Sequence, residues 1–217
     1  MKIIDYEFGY YKFGDIVAEW FGVDDLTKLH KHNSTEYERL DFEHDQSTEW
    51  HESFYELFNQ DGNQFKKLYL EFIENYIKPR YDGNILYQRI PTFRIHLPMN
   101  IAVGEWHKDK DYRDVEWAES VREVNYYLPL TDTNFSNTIW AETEEDKGDY
   151  RPIEAGIGEC VEWDGSNLTH GNKTNITSYT RVSVDFRVIP KSRYKDSDYL
   201  SSSSKMMFSE GNYYREL

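Results

Sequence analysis

The sequence has a single cysteine, Cys160, among its 217 residues. One thiol cannot form an internal disulfide, so we expect a reducing compartment and a cytoplasmic protein. No apolar run approaches the roughly 20 residues of a membrane-spanning helix, and the first residues lack the apolar segment of a secretory signal. The sequence therefore predicts no membrane partner.

Basic residues are also scarce, because 25 Lys and Arg stand against 40 Asp and Glu and give a net charge of -15. Nucleic-acid binding depends largely on neutralising phosphates with Lys and Arg, so this balance argues against a nucleic-acid partner. The mean hydropathy of -0.84 is low. However, aromatic residues make up 17% of the chain, and their large buried area is enough for a full core.

The patterns predict one domain over 1–217, with a helical flank at 1–84, a β core at 85–190 and a tail or lid at 191–217. In the flank, residues 47–59 and 64–78 carry apolar side chains at helical spacing. Strand-like runs then follow at 85–97, 101–106, 121–130, 138–142, 158–163 and 181–189. Helices followed by many strands indicate a mainly β fold, an antiparallel barrel or jelly roll with helices on one outer face.

Two histidines and an aspartate form a candidate metal site. His107 and Asp109 end an apolar run, and on a strand residues two apart project to the same side. His170, sixty-one positions after Asp109 in a predicted turn, can add a third ligand (170 − 109 = 61). Two imidazoles and one carboxylate are the ligand face of non-haem Fe(II) oxygenases. Asp111 shares the strand parity and is an alternative carboxylate.

The run from Arg181 alternates strictly between polar and apolar residues. Arg181, Ser183, Asp185 and Arg187 fall on one face, and Val182, Val184, Phe186 and Val188 fall on the other. A polar row of this kind predicts a cavity, because buried charges need partners or ligands. An arginine fork with a neighbouring hydroxyl suits a carboxylate, so Arg181 and Ser183 are candidate binders of an organic acid.

The order His-x-Asp, His and Arg-x-Ser resembles the motif order of the 2-oxoglutarate- and Fe(II)-dependent oxygenases. Three segments are similar to the branch that includes a protein of streptomycin biosynthesis: WHKDKDY at 106–112, NYYLPLT at 125–131, and HGN at 170–172 continuing to RVSVDFRV at 181–188. The resemblance covers roughly residues 85–190.

The resemblance implies a double-stranded β-helix in which His107, Asp109 and His170 bind Fe(II). Arg181 and Ser183 would hold the distal carboxylate of 2-oxoglutarate, with Asn125 as a further cofactor contact. Tyr127, Trp140 and Asn172 are candidate substrate contacts. The implied activity uses dioxygen, hydroxylates a small molecule and releases succinate and CO2. Halogenases of this superfamily lack the carboxylate ligand, so Asp109 favours hydroxylation over halogenation.

Two other functions stay open at this point. A cupin-like metalloenzyme that does not use 2-oxoglutarate would keep the three ligands but pair Arg181 with an acid such as Asp185. A non-catalytic jelly-roll module could bind carbohydrate through its many Tyr and Trp rings. We expect the remaining histidines to be structural or exposed: His96 is predicted to be buried in a strand, and His30, His32, His44 and His51 to lie on the surface. Cys160 is predicted to be a core residue.

Overall fold

The structure is a computed structural model that describes residues 1–32, 48–103, 105–201 and 205–217. The described strands, in chain order, are β1 Lys2–Asp5, β2 Ile85–Gln88, β3 Thr92–His96, β4 Val124–Pro129, β5 Ile139–Ala141, β6 Arg151–Pro152, β7 Glu159–Trp163, β8 His170–Asn172, β9 Arg181–Pro190 and β10 Tyr214–Glu216. The described α-helices are α1 Phe13–Phe21, α2 Glu49–Phe58, α3 Gln64–Phe72 and α4 Val115–Val121. Helix α3 continues through a π-helical turn, Ile73–Ile77, and a 3-10 turn, Lys78–Arg80.

The strands form two antiparallel sheets. The larger sheet has the order β1-β7-β4-β9-β2-β10. Strand β3 pairs with the first half of β9, and β2 pairs with the end of the same strand. The smaller sheet has the order β6-β5-β8. An interior cluster that includes Tyr127 and Trp163 of the larger sheet and Ala141 of the smaller one lies between them. These antiparallel sheets, together with the N-terminal helices, agree with the predicted class at this level.

Strand β9 separates the helical core from the interior between the sheets. Its apolar residues, Val182, Val184, Phe186 and Val188, belong to the main hydrophobic core together with residues of α1, α2 and α3. Phe54 of α2 stacks on Phe93 of β3 with ring centroids 4.2 Å apart and an interplanar angle of 7°. The helices therefore pack on one face of the larger sheet, as the alternation in β9 predicts.

Local signals set most helix ends. Gly22 ends α1 in the left-handed conformation, with φ 64°, where glycine carries no steric penalty. Asn63 caps α3 by accepting a hydrogen bond from the Lys66 N–H, and Pro79 lies in the turn that ends this helical stretch. The flank therefore forms helices where its periodicity predicts them.

Several predicted elements differ in the structure. The run 85–97 is two strands, β2 and β3, which pair with successive parts of β9 and are separated at Pro91. The described residues of 101–106 form no strand. His170 lies in a short strand rather than a turn. The segment 191–217 is joined to the larger sheet, because β10 pairs with β2.

His51 corrects one expectation, because it is buried rather than exposed. Its Nδ1 atom lies 2.7 Å from Thr48 Oγ1, and its ring packs edge-on against Phe93. It faces the core because α2 turns this side toward the sheet. His44 lies outside the described residues. None of the described helices is long and apolar enough to cross a membrane.

Cys160 is fully buried in the main core, as predicted. Burial raises the pKa of its thiol, and the thiolate is the form that attacks disulfide reagents. We expect no reaction of the native protein with Ellman's reagent at pH 8 and release of one equivalent after denaturation. Rapid stoichiometric reaction of the native protein would contradict this packing.

Candidate metal centre

His107 and His170 are held side by side by the backbone. They form an isolated antiparallel bridge in which each N–H donates to the carbonyl of the other residue at 2.9 Å. The bridge adds His107 to the smaller sheet next to β8, which also pairs with β5. Asp109 then begins a 3-10 turn, Asp109–Tyr112, and its N–H donates to the Gly165 carbonyl at 3.0 Å.

The three predicted ligand residues converge, although not from a single strand. One ligand atom from each of His107, Asp109 and His170 lies within 4.8 Å of the others. Asp109 Oδ1 is 3.6 Å from His107 Nε2 and 3.8 Å from His170 Nε2. The expectation that His107 and Asp109 project from one extended strand is wrong, because the 3-10 turn brings the carboxylate back toward the imidazole.

Backbone carbonyls fix both imidazole rings. His107 Nδ1 lies 2.9 Å from the Glu105 carbonyl, and His170 Nδ1 lies 2.9 Å from the Leu168 carbonyl. A carbonyl only accepts, so each Nδ1 carries the proton. The Nε2 lone pair of each neutral ring is then free to bind a metal, as in proteins where outer hydrogen bonds orient ligating histidines.

Charges at the site shift the pKa values of all three groups. Burial raises the pKa of Asp109, but the Arg187 charge outweighs it and holds this pKa well below its usual range. Burial lowers the pKa of His170 to about 4. Burial also lowers the pKa of His107, but Asp109 outweighs it and leaves that pKa raised. The site thus holds one carboxylate and at least one neutral imidazole near neutral pH.

The predicted carboxylate binders are buried on the interior face of β9. Arg181 is 1% exposed, and Ser183 is fully buried. In the described part of the chain, Arg181 Nε and Nη1 and Ser183 Oγ have no hydrogen-bond partner. Asp185 is instead paired with Arg94, at 3.2 Å. A buried guanidinium without an anion is costly, so this geometry suits an acidic ligand.

The remaining predicted contacts fall in different places. Asn125 Nδ2 donates to Asp109 Oδ2 at 2.8 Å, which places it beside the metal ligands. Tyr127 is buried in the interior cluster, and within the described structure its hydroxyl has no partner. Asn172 donates to the Thr138 carbonyl at 2.9 Å, and so joins β8 to the residue that precedes β5.

Trp140 and Asp111 do not face the site. On β5, Ala141 and Ile139 pack into the interior cluster, so the alternation turns Trp140 to the opposite face. There its indole N–H donates to the Phe135 carbonyl, and Lys173 lies over its ring. Asp111 Oδ2 accepts the Lys108 N–H, so it caps the local 3-10 turn. Both side chains are therefore engaged away from the three ligand atoms.

Two histidines outside the ligand set have clear environments. His96 is buried as predicted, lies opposite Arg181 in the β3–β9 register and bonds the Asn100 carbonyl through Nε2 at 2.8 Å. Burial, with a smaller effect of Arg181, lowers the pKa of His96 to about 3, so the ring is neutral. His30 is half-buried against Thr180, at 2.8 Å.

Three residues outside the predicted set also contribute to the site. Trp163 packs edge-on against His170 with ring centroids 4.8 Å apart. Arg187, a member of the polar row on β9, bonds Asp109. Tyr213 bonds Arg187 from the C-terminal segment. The polar phase of β9 pointed to Arg187, but no local pattern connects Tyr213 to a residue twenty-six positions earlier.

Comparison with known proteins supports the predicted branch. The chain is 36% identical over 200 residues to the streptomycin biosynthesis protein StrG of Streptomyces griseus, covering 92% of this chain and 90% of StrG. No protein-family model matches. Among solved structures, CytC3 with Fe(II) and alpha-ketoglutarate has a TM-score of 0.49 at 10% identity, covering 98% of this chain and 81% of that one.

A second solved structure, the non-heme monooxygenase ThoJ in complex with Ni, has a TM-score of 0.47 at 14% identity and covers 90% of this chain and 75% of that one. These scores describe a loose likeness of chain path and no more. The relationship to StrG, in contrast, extends over nearly the whole length of both chains. The chain belongs to the family of the streptomycin biosynthesis protein StrG.

Proposed function

We propose that the protein is an Fe(II)- and 2-oxoglutarate-dependent dioxygenase that hydroxylates a small molecule. One observation carries this proposal: three convergent ligand atoms lie beside the polar face of β9, which also carries a buried arginine whose Nε and Nη1 atoms have no partner among the described residues. The first feature suits a metal, and the second suits a co-substrate with a carboxylate. We further propose that the two sheets are the halves of a double-stranded β-helix.

The donor set fits Fe(II). His107 Nε2, His170 Nε2 and Asp109 Oδ1 would bind the ion and supply only one face of its coordination shell, leaving positions for other ligands. Asp109 contributes a single negative charge, and the two imidazoles are held with Nε2 free. When bound, Fe(II) and 2-oxoglutarate supply the oxidative chemistry that consumes dioxygen and releases succinate and CO2.

The polar face of β9 fits a dicarboxylate co-substrate. Arg181 would bind the distal carboxylate by charge-assisted hydrogen bonds, and Ser183 would add its hydroxyl. Tyr127 and Trp163 form part of the interior wall, where they limit the access of water to the bound acid. Asn125 stays a predicted cofactor contact, because its Nδ2 carries a second N–H besides the one that it donates to Asp109 Oδ2.

The two rival functions have less support. A metalloenzyme that does not use 2-oxoglutarate was expected to pair Arg181 with an acid, but Asp185 pairs with Arg94 instead. A carbohydrate-binding module gives no reason for two imidazoles oriented with Nε2 toward one carboxylate. Because StrG takes part in the biosynthesis of streptomycin, we propose a small-molecule substrate. Tyr127 stays a predicted contact for this substrate, because its hydroxyl has no partner among the described residues. Asn172 is a weaker predicted contact, because its amide already bonds Thr138.

Anaerobic addition of Fe(II) and 2-oxoglutarate to the metal-free protein is expected to produce a weak visible charge-transfer band. Admission of air should then yield succinate even without substrate. His107→Ala should remove both signals, because it removes one of three ligands. His32→Ala is the matched control, since His32 is exposed and is not one of the three grouped ligand residues, and it should leave both signals unchanged. A wild-type protein that is loaded with iron but gives neither band nor succinate would overturn the proposal.

A further inference from the structure

The two carboxylate oxygens of Asp109 have separate environments. Oδ1 faces the imidazoles of His107 and His170. Oδ2 accepts three hydrogen bonds, from Arg187 Nε at 3.1 Å, Arg187 Nη2 at 2.7 Å and Asn125 Nδ2 at 2.8 Å. Asp109 is only 6% exposed, so protein donors rather than water occupy this oxygen.

Both donors are themselves confined. Asn125 packs closely over Gly165, because a Cβ atom at that position would lie only 2.6 Å from Asn125 Nδ2 and the amide fills the space that a side chain would need. Arg187 Nη1 lies 3.1 Å from the Tyr213 hydroxyl and 3.5 Å from Gln88 Oε1. The Arg187 guanidinium therefore contacts Asp109, Tyr213 and Gln88, and these three contacts fix its orientation.

Tyr213 brings the C-terminal segment into this arrangement. It is 4% exposed and packs against Phe208 and Tyr214, each with ring centroids 4.8 Å away. The Arg113 guanidinium lies 4.6 Å from the Phe208 ring centroid and forms a buried ion pair with Glu123. Residues of 205–217 thus contact both buried arginines and reach the Asp109 carboxylate through Arg187.

A carboxylate with three donors on one oxygen cannot offer that oxygen to a metal without losing them. Buried charged hydrogen bonds are expensive to break, because the remaining groups stay unsolvated. The same donors prevent rotation of the carboxylate, so Oδ1 stays directed at the two Nε2 atoms. A ligand fixed in this way loses little conformational freedom when a metal binds.

We propose that Arg187 is a positioning residue of the metal centre, which with Asn125 restricts Asp109 to coordination through Oδ1 alone. Tyr213, by holding Arg187, makes the C-terminal segment part of the metal centre. This inference rests on the proposed function, since it requires that the ligand set bind a metal. It assigns a role to residues of 205–217 that is different from closing over a substrate.

The test is titration of the metal-free protein with Co(II), without 2-oxoglutarate, followed by calorimetry and visible absorption. Arg187→Met is expected to weaken Co(II) binding about 10- to 100-fold, the usual effect of losing a group that orients a metal ligand. It should also change the d–d spectrum, because the freed Oδ2 can join the coordination. Arg187→Lys restores the charge but not the fork, so its affinity should lie between Arg187→Met and wild type.

Tyr213→Phe keeps the ring packing and removes only the hydroxyl, and it should weaken Co(II) binding about three- to tenfold. It also provides the test if Arg187→Met does not fold. Arg94→Met is the matched control, because Arg94 lies on the same interior side but pairs with Asp185. It should leave both the affinity and the spectrum near those of wild type.

The outcomes separate the two proposals. If wild type binds Co(II) but the Arg187 and Tyr213 variants bind it equally well with the same spectrum, the positioning role is wrong and the proposed function stands. If wild type binds no Co(II), both fail. If Arg94→Met weakens binding as much as Arg187→Met, the effect is a general loss of interior charge, and the positioning role is again overturned.

Discussion

In a buffer free of carboxylates, Arg181→Met is expected to weaken 2-oxoglutarate binding about 100- to 1,000-fold, as expected for removing one partner of a buried charged pair. The same change should raise the melting temperature of the ligand-free protein. Both effects have one cause, because Arg181 is 1% exposed and its Nε and Nη1 atoms lack a partner among the described residues.

The sign of the stability change follows from the charge. Without ligand, the folded protein buries a cation that the unfolded chain exposes to water, and this desolvation opposes folding. Methionine has a similar length and no charge, so it removes that cost. In a protein of this size, each kcal/mol gained corresponds to about 2–4 °C in melting temperature.

The measurements are calorimetric titration with 2-oxoglutarate in the presence of Co(II), and thermal unfolding with and without the acid. Ser183→Ala is the graded comparison, since it removes one hydroxyl and should weaken binding by a smaller factor. Co(II) affinity alone should not change in either variant. A variant that loses Co(II) and 2-oxoglutarate together, or that melts at a lower temperature without ligand, would show that Arg181 is structural.

Phe54→Ala is expected to lower the free energy of unfolding by about 3–5 kcal/mol, because it empties a fully buried aromatic site. Phe54 stacks on Phe93 of β3 and contacts the edges of Trp20 and Phe65. It therefore joins three helices to the larger sheet. A loss of this size is a large part of the total stability of an ordinary domain.

Denaturant unfolding should be followed by far-ultraviolet circular dichroism for the helices and by Co(II) absorption for the metal centre. Because the helices and β9 share one core, both signals should fall at the same denaturant concentration in wild type and variant. Phe54→Leu is the control that retains an apolar side chain and should cost less. Loss of the helical signal while the Co(II) signal persists would contradict the predicted single domain.

The sequence was most informative where a periodic pattern coincided with a chemical requirement. The alternation from Arg181 to Val188 predicted both which side chains would meet the helices and which would be buried as polar groups. The apolar side chains at helical spacing in 64–78 likewise predicted a helix against the sheet. In both cases the pattern is local, and burial follows from it directly.

Long-range pairing could not be predicted in the same way. The composition of Thr-His-Gly-Asn predicts a turn at His170, but pairing with β5 and with His107 makes it a strand residue. Asp109 meets His107 through a 3-10 turn and not through strand parity. The predicted side chains therefore come together, although the predicted strand does not form. Tyr213 bonds Arg187 across the fold, and nothing in the sequence near Tyr213 specifies that partner.

The two faces of β9 also constrain how the pocket can be altered. The ten residues of this strand pair with β2, β3 and β4, and successive side chains serve the helical core and the interior in turn. Deletion of one residue near its start would turn valines toward the metal ligands and move Asp185 and Arg187 among the phenylalanines. Redesign of substrate choice should therefore keep the length of this strand and change only side chains on its polar face, while insertions and deletions are confined to the connecting loops.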